Sequence, residues 1–238
     1  MKKFLFGLLT GLCVTFGAFN ASANETPLPT FDKTRTAIVI TDPQKDFLDK
    51  SGKLYGLVAP NMEKLGTIKN IETLMQTAKS QGLALAVDPL VYTKLDINWD
   101  QAGALQAQLL EMKALYSDTL DPAELVGTGA DFYEPFKKYI NDGKTIVVAP
   151  HKMYGPESND LIYQLRAHGI DTVVLGGLVA NLCVDSHMRA LMENGFKVYV
   201  VKDAVAAPGE EAYNAALVNY GMIANGVLTT AQATQALK

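Results

Sequence analysis

Along this chain, short runs of consecutive apolar residues alternate with stretches in which apolar residues recur every three or four positions. Thr36-Ala37-Ile38-Val39-Ile40-Thr41, Leu83-Ala84-Leu85-Ala86-Val87, Thr145-Ile146-Val147-Val148-Ala149, Thr172-Val173-Val174-Leu175 and Lys197-Val198-Tyr199-Val200-Val201 are runs of this first kind. Rich in β-branched residues and lacking polar alternation, they read as strands buried on both faces. Between them, residues 61–80 carry Met62, Leu65, Ile68, Ile71, Leu74, Met75 and Ala78 at helical spacing and are closed by Gly82. The same spacing predicts helices over Asn159–Ala167, ending at Gly169, and near Leu182–Glu193, ending at Gly195. Strands alternating with helices predict an α/β fold, a three-layer α-β-α arrangement around a mostly parallel, Rossmann-like sheet. Such sheets bind ligands at the carboxyl ends of their strands.

Other parts of the chain lack this rhythm. Lys2 and Lys3, an apolar stretch from Phe4 to Phe19 and the small-x-small sequence Ala21-Ser22-Ala23 predict a signal peptide over residues 1–23. Leu12 before Cys13 argues against lipid attachment, and the apolar stretch is short for a membrane span. The expected mature chain is therefore exported, with the periplasm as its compartment, and has no membrane partner. Asn24–Arg35, with Pro27 and Pro29, reads as an extended lead-in, and residues 36–238 as one domain. Within residues 96–143, Gln101–Tyr116 is patterned as an exposed helix. The remainder reads as a connecting insertion, with a lid or subunit contact as the alternative.

Cleavage after Ala23 leaves 19 basic and 25 acidic residues, a formal charge of −6 that disfavours nucleic acid as a partner. It also leaves one cysteine, Cys183, without a disulfide partner. Taken alone, Cys183 is as readily a small buried hydrophobe as a nucleophile. Its placement changes that reading. It follows a strand and the Gly176-Gly177 turn and opens a helix, where free backbone N–H donors and the helix dipole favour a thiolate. Asp42 after the first strand and Lys152 after the strand ending at Ala149 fall on the same predicted rim. Singly, these are a turn former and a solvated cation; together they supply a nucleophile, a base and a positive charge for acyl transfer. The three are expected to converge in one pocket.

Three stretches in this order resemble the isochorismatase-like cysteine hydrolase superfamily. Asp42-Pro43-Gln44-Lys45-Asp46-Phe47 is similar to its Asp-x-Gln-x-Asp-Phe opening. His151-Lys152-Met153-Tyr154-Gly155-Pro156, leading to Leu161 and Leu165-Arg166, resembles its lysine motif, and Gly176 through Asp203-Ala204 its cysteine motif. The resemblance covers residues 36–207, with weaker agreement at Asn219 and Thr229-Thr230. It implies Asp42 as general base, Lys152 as charge-stabilising partner and Cys183 as nucleophile. It also implies a cis peptide at Val179–Ala180 and an oxyanion hole from the N–H groups of Ala180 and Cys183.

The implied function is hydrolysis of a small amide or related C–N bond through a thioester. Nicotinamidases of this superfamily carry Asp-x-His metal ligands after the second strand. Here Asp88-Pro89-Leu90-Val91-Tyr92 has no histidine, and His151, His168 and His187 are placed elsewhere. No metal and no cofactor are therefore expected. His187 lies one helical turn after Cys183, and His151 beside Lys152 is open to a supporting role. Phe47, Tyr92, Tyr154 and Leu178 are candidates for a substrate wall, each equally readable as core. The resemblance further implies a homo-oligomer, dimer or tetramer. Vinyl-ether hydrolysis and non-catalytic small-molecule binding are the competing functions.

Overall fold

The computed structural model describes residues 27–152 and 154–238, so the expected signal peptide lies outside the described residues. Six strands form one sheet in the order β3-β2-β1-β4-β5-β6: β1 Thr36–Thr41, β2 Ala84–Asp88, β3 Ile146–Val147, β4 Thr172–Leu178, β5 Lys197–Ala206 and β6 Gly226–Leu228. Every pairing is parallel. The predicted class, a helix-flanked three-layer α/β fold, is the one observed, with the parallel character complete.

Central position explains the apolar runs. β1 lies between β2 and β4 and is buried at every residue. Each fully buried Val or Ile there contributes about 1.5–3 kcal/mol. On either side, helices Thr67–Gln81 and Thr230–Ala236 pack on each other and on β5, as do Asp185–Glu193 and Glu210–Ile223. Among the described residues no helix is long and apolar enough to cross a membrane.

The helix expected over residues 61–80 is two helices, Tyr55–Leu65 and Thr67–Gln81, parted at Gly66 in the left-handed region (φ 69°). The break is tied down by the carboxyl half of β5. Thr67 Oγ1 donates to Val205 O at 3.0 Å, and Asn70 Nδ2 to Asp203 O at 2.8 Å. The lead-in also differs from its open reading, because Phe31 is buried edge-to-face on Tyr199, centroids 5.0 Å apart. The insertion is folded onto the rim, and the helix expected over Gln101–Tyr116 is confined to Ala104–Glu111.

Two motif residues without chemistry of their own fasten that insertion. Buried Gln44 donates from Nε2 to Leu90 O (2.8 Å) and Ala130 O (2.7 Å) and accepts from Leu90 N (2.9 Å). Buried Asp46 accepts from Lys53 N (3.1 Å) and Leu115 N (2.6 Å). Their side chains replace the solvent that these backbone groups lose on burial.

Candidate active site

The site lies where β1 and β4 end side by side. Asp42 is the first residue past β1 and has a left-handed backbone (φ 49°), a conformation aspartate tolerates better than most residues. Its N–H donates to Asp88 O at 2.9 Å, which holds the ends of β1 and β2 together. On β4, Gly177 adopts φ 118°, and a Cβ there would stand 2.2 Å from Thr41 O. No side chain fits, and the two strand ends meet directly. Thr41 Oγ1 donates across the join to Leu178 O at 2.9 Å.

After β4 the chain turns into a short π-helical turn, Ala180–Val184, which continues as helix Asp185–Glu193. Leu182 N and Val184 N both donate to Val179 O, at 3.0 and 3.2 Å. Because Val179 O is the first acceptor of the turn, the peptide after Val179 already belongs to it. The cis peptide stands one bond earlier than expected, at Leu178–Val179 and not Val179–Ala180. Ala180 and Cys183, the expected oxyanion donors, share this turn, at the helix end where N–H groups lack intrahelical acceptors.

Cys183 is 4% exposed and faces Asp42. Burial first, then the Asp42 charge and its acceptor oxygen, push the thiol well above the ordinary thiol range; the Val179 N–H opposes them. This departs from the thiolate expected of a helix N-terminus. These surroundings favour the neutral thiol over the thiolate.

Of the three residues expected to converge, Asp42 and Cys183 do so, and His151 stands with them. Asp42, His151 and Cys183, all buried, present an oxygen, a nitrogen and a sulfur within 4.8 Å of one another. His151 Nε2 lies 2.9 Å from Asp42 Oδ1. Lys152 instead donates to Val91 O at 2.7 Å and to Asp96 Oδ2 at 2.6 Å.

A second carboxylate–imidazole pair adjoins the first. His187 Nε2 lies 2.8 Å from Asp88 Oδ2, and its ring meets that of His151 edge-on at 5.2 Å. His187 Nδ1 faces two carbonyls, Cys183 O at 2.7 Å and Tyr154 O at 3.2 Å. Carbonyls only accept, so Nδ1 carries a proton and the Nε2–Asp88 contact shares another. Asn159 Nδ2 donates to the remaining Asp88 oxygen at 2.6 Å. Asp88, His151 and His187 form a second group with ligand atoms within 4.8 Å, a donor set of the kind zinc accepts. The direct 2.8 Å contact is a hydrogen-bond separation.

Tyr92 is fully buried and edge-to-face with Trp99, centroids 5.9 Å apart. Burial is the first cause raising the pKa values of Tyr92 and Tyr154. The other two candidate wall residues, Phe47 and Leu178, belong to the hydrophobic core. Sequence reasoning gave no role to Asp88 or Asp96. A strand-end aspartate opposite a histidine one turn beyond the cysteine was the available signal for the first.

A parallel α/β sheet with a cysteine on the helical turn after a central strand defines the isochorismatase-like class of hydrolases. The chain belongs to the isochorismatase family: the Isochorismatase domain family matches residues 36–232. It is 30% identical over 193 residues to the isochorismatase family protein YwoC of Bacillus subtilis (strain 168), covering 78% of this chain and 85% of YwoC. Among solved structures, it resembles a cysteine hydrolase from Pseudomonas syringae pv. phaseolicola 1448A (TM-score 0.70, 20% identity, 90% of this chain and 98% of the other). It also resembles N-carbamoylsarcosine amidase from Thermoplasma acidophilum (TM-score 0.59, 21% identity, 82% and 96%).

Proposed function

We propose that this protein is an exported, metal-independent cysteine hydrolase that cleaves a small amide or related C–N bond through a thioester. The observation that carries the reading is the buried meeting of the Cys183 sulfur with the Asp42 carboxylate and the His151 imidazole. Asp42 Oδ2 has no conventional hydrogen-bond partner and so is available to the thiol proton. In the first half-reaction that proton passes to Asp42, Sγ bonds to the carbonyl carbon, and the oxyanion is met by the N–H groups of Ala180 and Cys183. The C–N bond then breaks as Asp42 returns the proton to the departing nitrogen. In the second half, Asp42 takes a proton from water, hydroxide attacks the thioester, and the thiol is restored.

The likeness to an amidase supports the C–N class, and the Lys2-to-Ala23 stretch supports export. Assembly as a homo-oligomer belongs to the same reading. Ammonia or amine release from a panel of small amides, ureides and carbamates tests it, with Cys183→Ala beside the parent. Turnover in the parent alone establishes the cysteine hydrolase. Equal turnover in both removes the mechanism.

A further inference from the structure

We infer that His151, and not Lys152, is the cationic partner of the Asp42–Cys183 pair in this protein. The two residues are neighbours, His151 in an isolated bridge and Lys152 at the bend that follows, and their side chains go to different partners. The segment's position is fixed by its backbone: His151 pairs with Leu90 in a parallel bridge, His151 N donates to Pro89 O at 2.9 Å, and Val91 N donates to His151 O at 3.4 Å. In that register residue 151 faces the ends of β1 and β2. Lys152, one residue further on, is held instead by Val91 O and Asp96 Oδ2.

The other side holds Lys152 firmly. Asp96 Oδ2, which takes its ammonium at 2.6 Å, also accepts from Thr93 N (2.6 Å) and Thr93 Oγ1 (3.0 Å). Lys152 thereby closes the turn of residues 93–96 against its own segment. Moving it to Asp42 would leave Asp96, 6% exposed, without its cation.

Charge balance explains why a cation is needed. Asp42 and Asp88 are both fully buried, and each is matched by one fully buried imidazole. Buried charge is retained only when paired. Groups facing His151 are Asp42 past β1, Asp88 at the end of β2, Cys183 on the turn, and His187 on the helix beyond it. When the thiol proton moves to Asp42 Oδ2, the negative charge moves to sulfur. The imidazolium keeps its own proton and balances the charge in either location. Because it acts through Asp42, His151 is a positioning and charge-balancing residue.

The inference rests on the hydrolase reading only in taking Cys183 as the nucleophile, and its test needs no substrate. The rate at which methyl methanethiosulfonate modifies Cys183 is followed by intact mass from pH 6 to 10. The variants are His151→Gln, His151→Lys and Lys152→Met. Loss of a cation beside the thiol lowers thiolate formation, so His151→Gln should react about tenfold or more slowly at pH 8. His151→Lys should restore the rate, and Lys152→Met should stay within about twofold of the parent, because its cation serves Asp96. A tenfold loss in Lys152→Met, with His151→Gln unchanged, overturns the assignment. Should His151→Gln fail to fold, the Lys152→Met profile alone decides: a parental profile supports the assignment, and a tenfold loss ends it. A protein that modifies as expected yet releases no amine from any amide would lose the hydrolase reading and keep this one.

Discussion

Two carboxylate–imidazole pairs lie side by side in this site, nearly equal in length and equally buried, yet they are built for different work. In Asp88–His187 every side-chain polar atom is engaged: Asn159 on one carboxylate oxygen, His187 on the other, and two carbonyls on the far ring nitrogen. In Asp42–His151 one carboxylate oxygen has no conventional partner and faces a thiol. A saturated network holds its geometry, while an unsaturated buried oxygen is one a proton can reach. The first pair clamps the Tyr154 segment to the turn that carries Cys183, and in the proposed mechanism the second takes up the thiol proton.

The sharpest break in this comparison is Asp42→Asn. It should lower amide turnover by about 10²–10⁴-fold, the usual weight of a general base. Comparable turnover in the variant would transfer the base role elsewhere. The second pair should answer in stability. Removing one partner of a buried pair costs about 3–5 kcal/mol, so Asp88→Leu and His187→Phe should each lower the urea midpoint strongly. The double variant should cost less than the two singles added together. Full additivity would mean that the pair is not a unit.

Gly177→Ala comes next, because the added Cβ meets backbone that cannot move aside. About 1–3 kcal/mol of overpacking is expected, read as a lowered urea midpoint, and an unchanged midpoint would show that the strand ends can part. Stability should also fall in alkali. Burial is the first cause raising the pKa values of Cys183, Tyr92 and Tyr220. The native state therefore holds protons that the unfolded chain releases, and stability is full below the ordinary thiol value of about 8.5 and declines above it. Cys183→Ala should flatten the first part of that decline in urea midpoints between pH 7.5 and 10. An equally steep decline would place the titration outside the site. Smallest of all, a chelator should leave amide turnover within about twofold if the proposed metal-independent mechanism holds, and a larger loss would overturn that part of the proposal.

Much of the fold was legible because its central strands are continuous apolar runs: Thr36–Thr41 was read with its observed limits. Legibility failed where pairing, not composition, sets the limits. The run Thr145–Ala149 forms only the two-residue edge strand Ile146–Val147, since it has a neighbour on one side alone. The helix Glu210–Ile223 gave no clear signal. Its exposed Val218 (62%) and Met222 (81%) blur any single apolar face. In the site, Asp42 and Cys183 could be placed from their positions after strands. Which of His151 and Lys152 turns inward could not, because that choice depends on the pairing of residue 151 with Leu90, a register no local pattern encodes.

Gly177 also bears on how this chain can drift. Any single-base change that alters a glycine codon's residue yields one bearing a Cβ, and at this position a Cβ collides with the strand that ends at the base. Position 177 therefore has no quiet neighbours in sequence space. Variation that retunes the site must enter through the loops around it, and the separation of Asp42 and Cys183 is inherited as a fixed quantity.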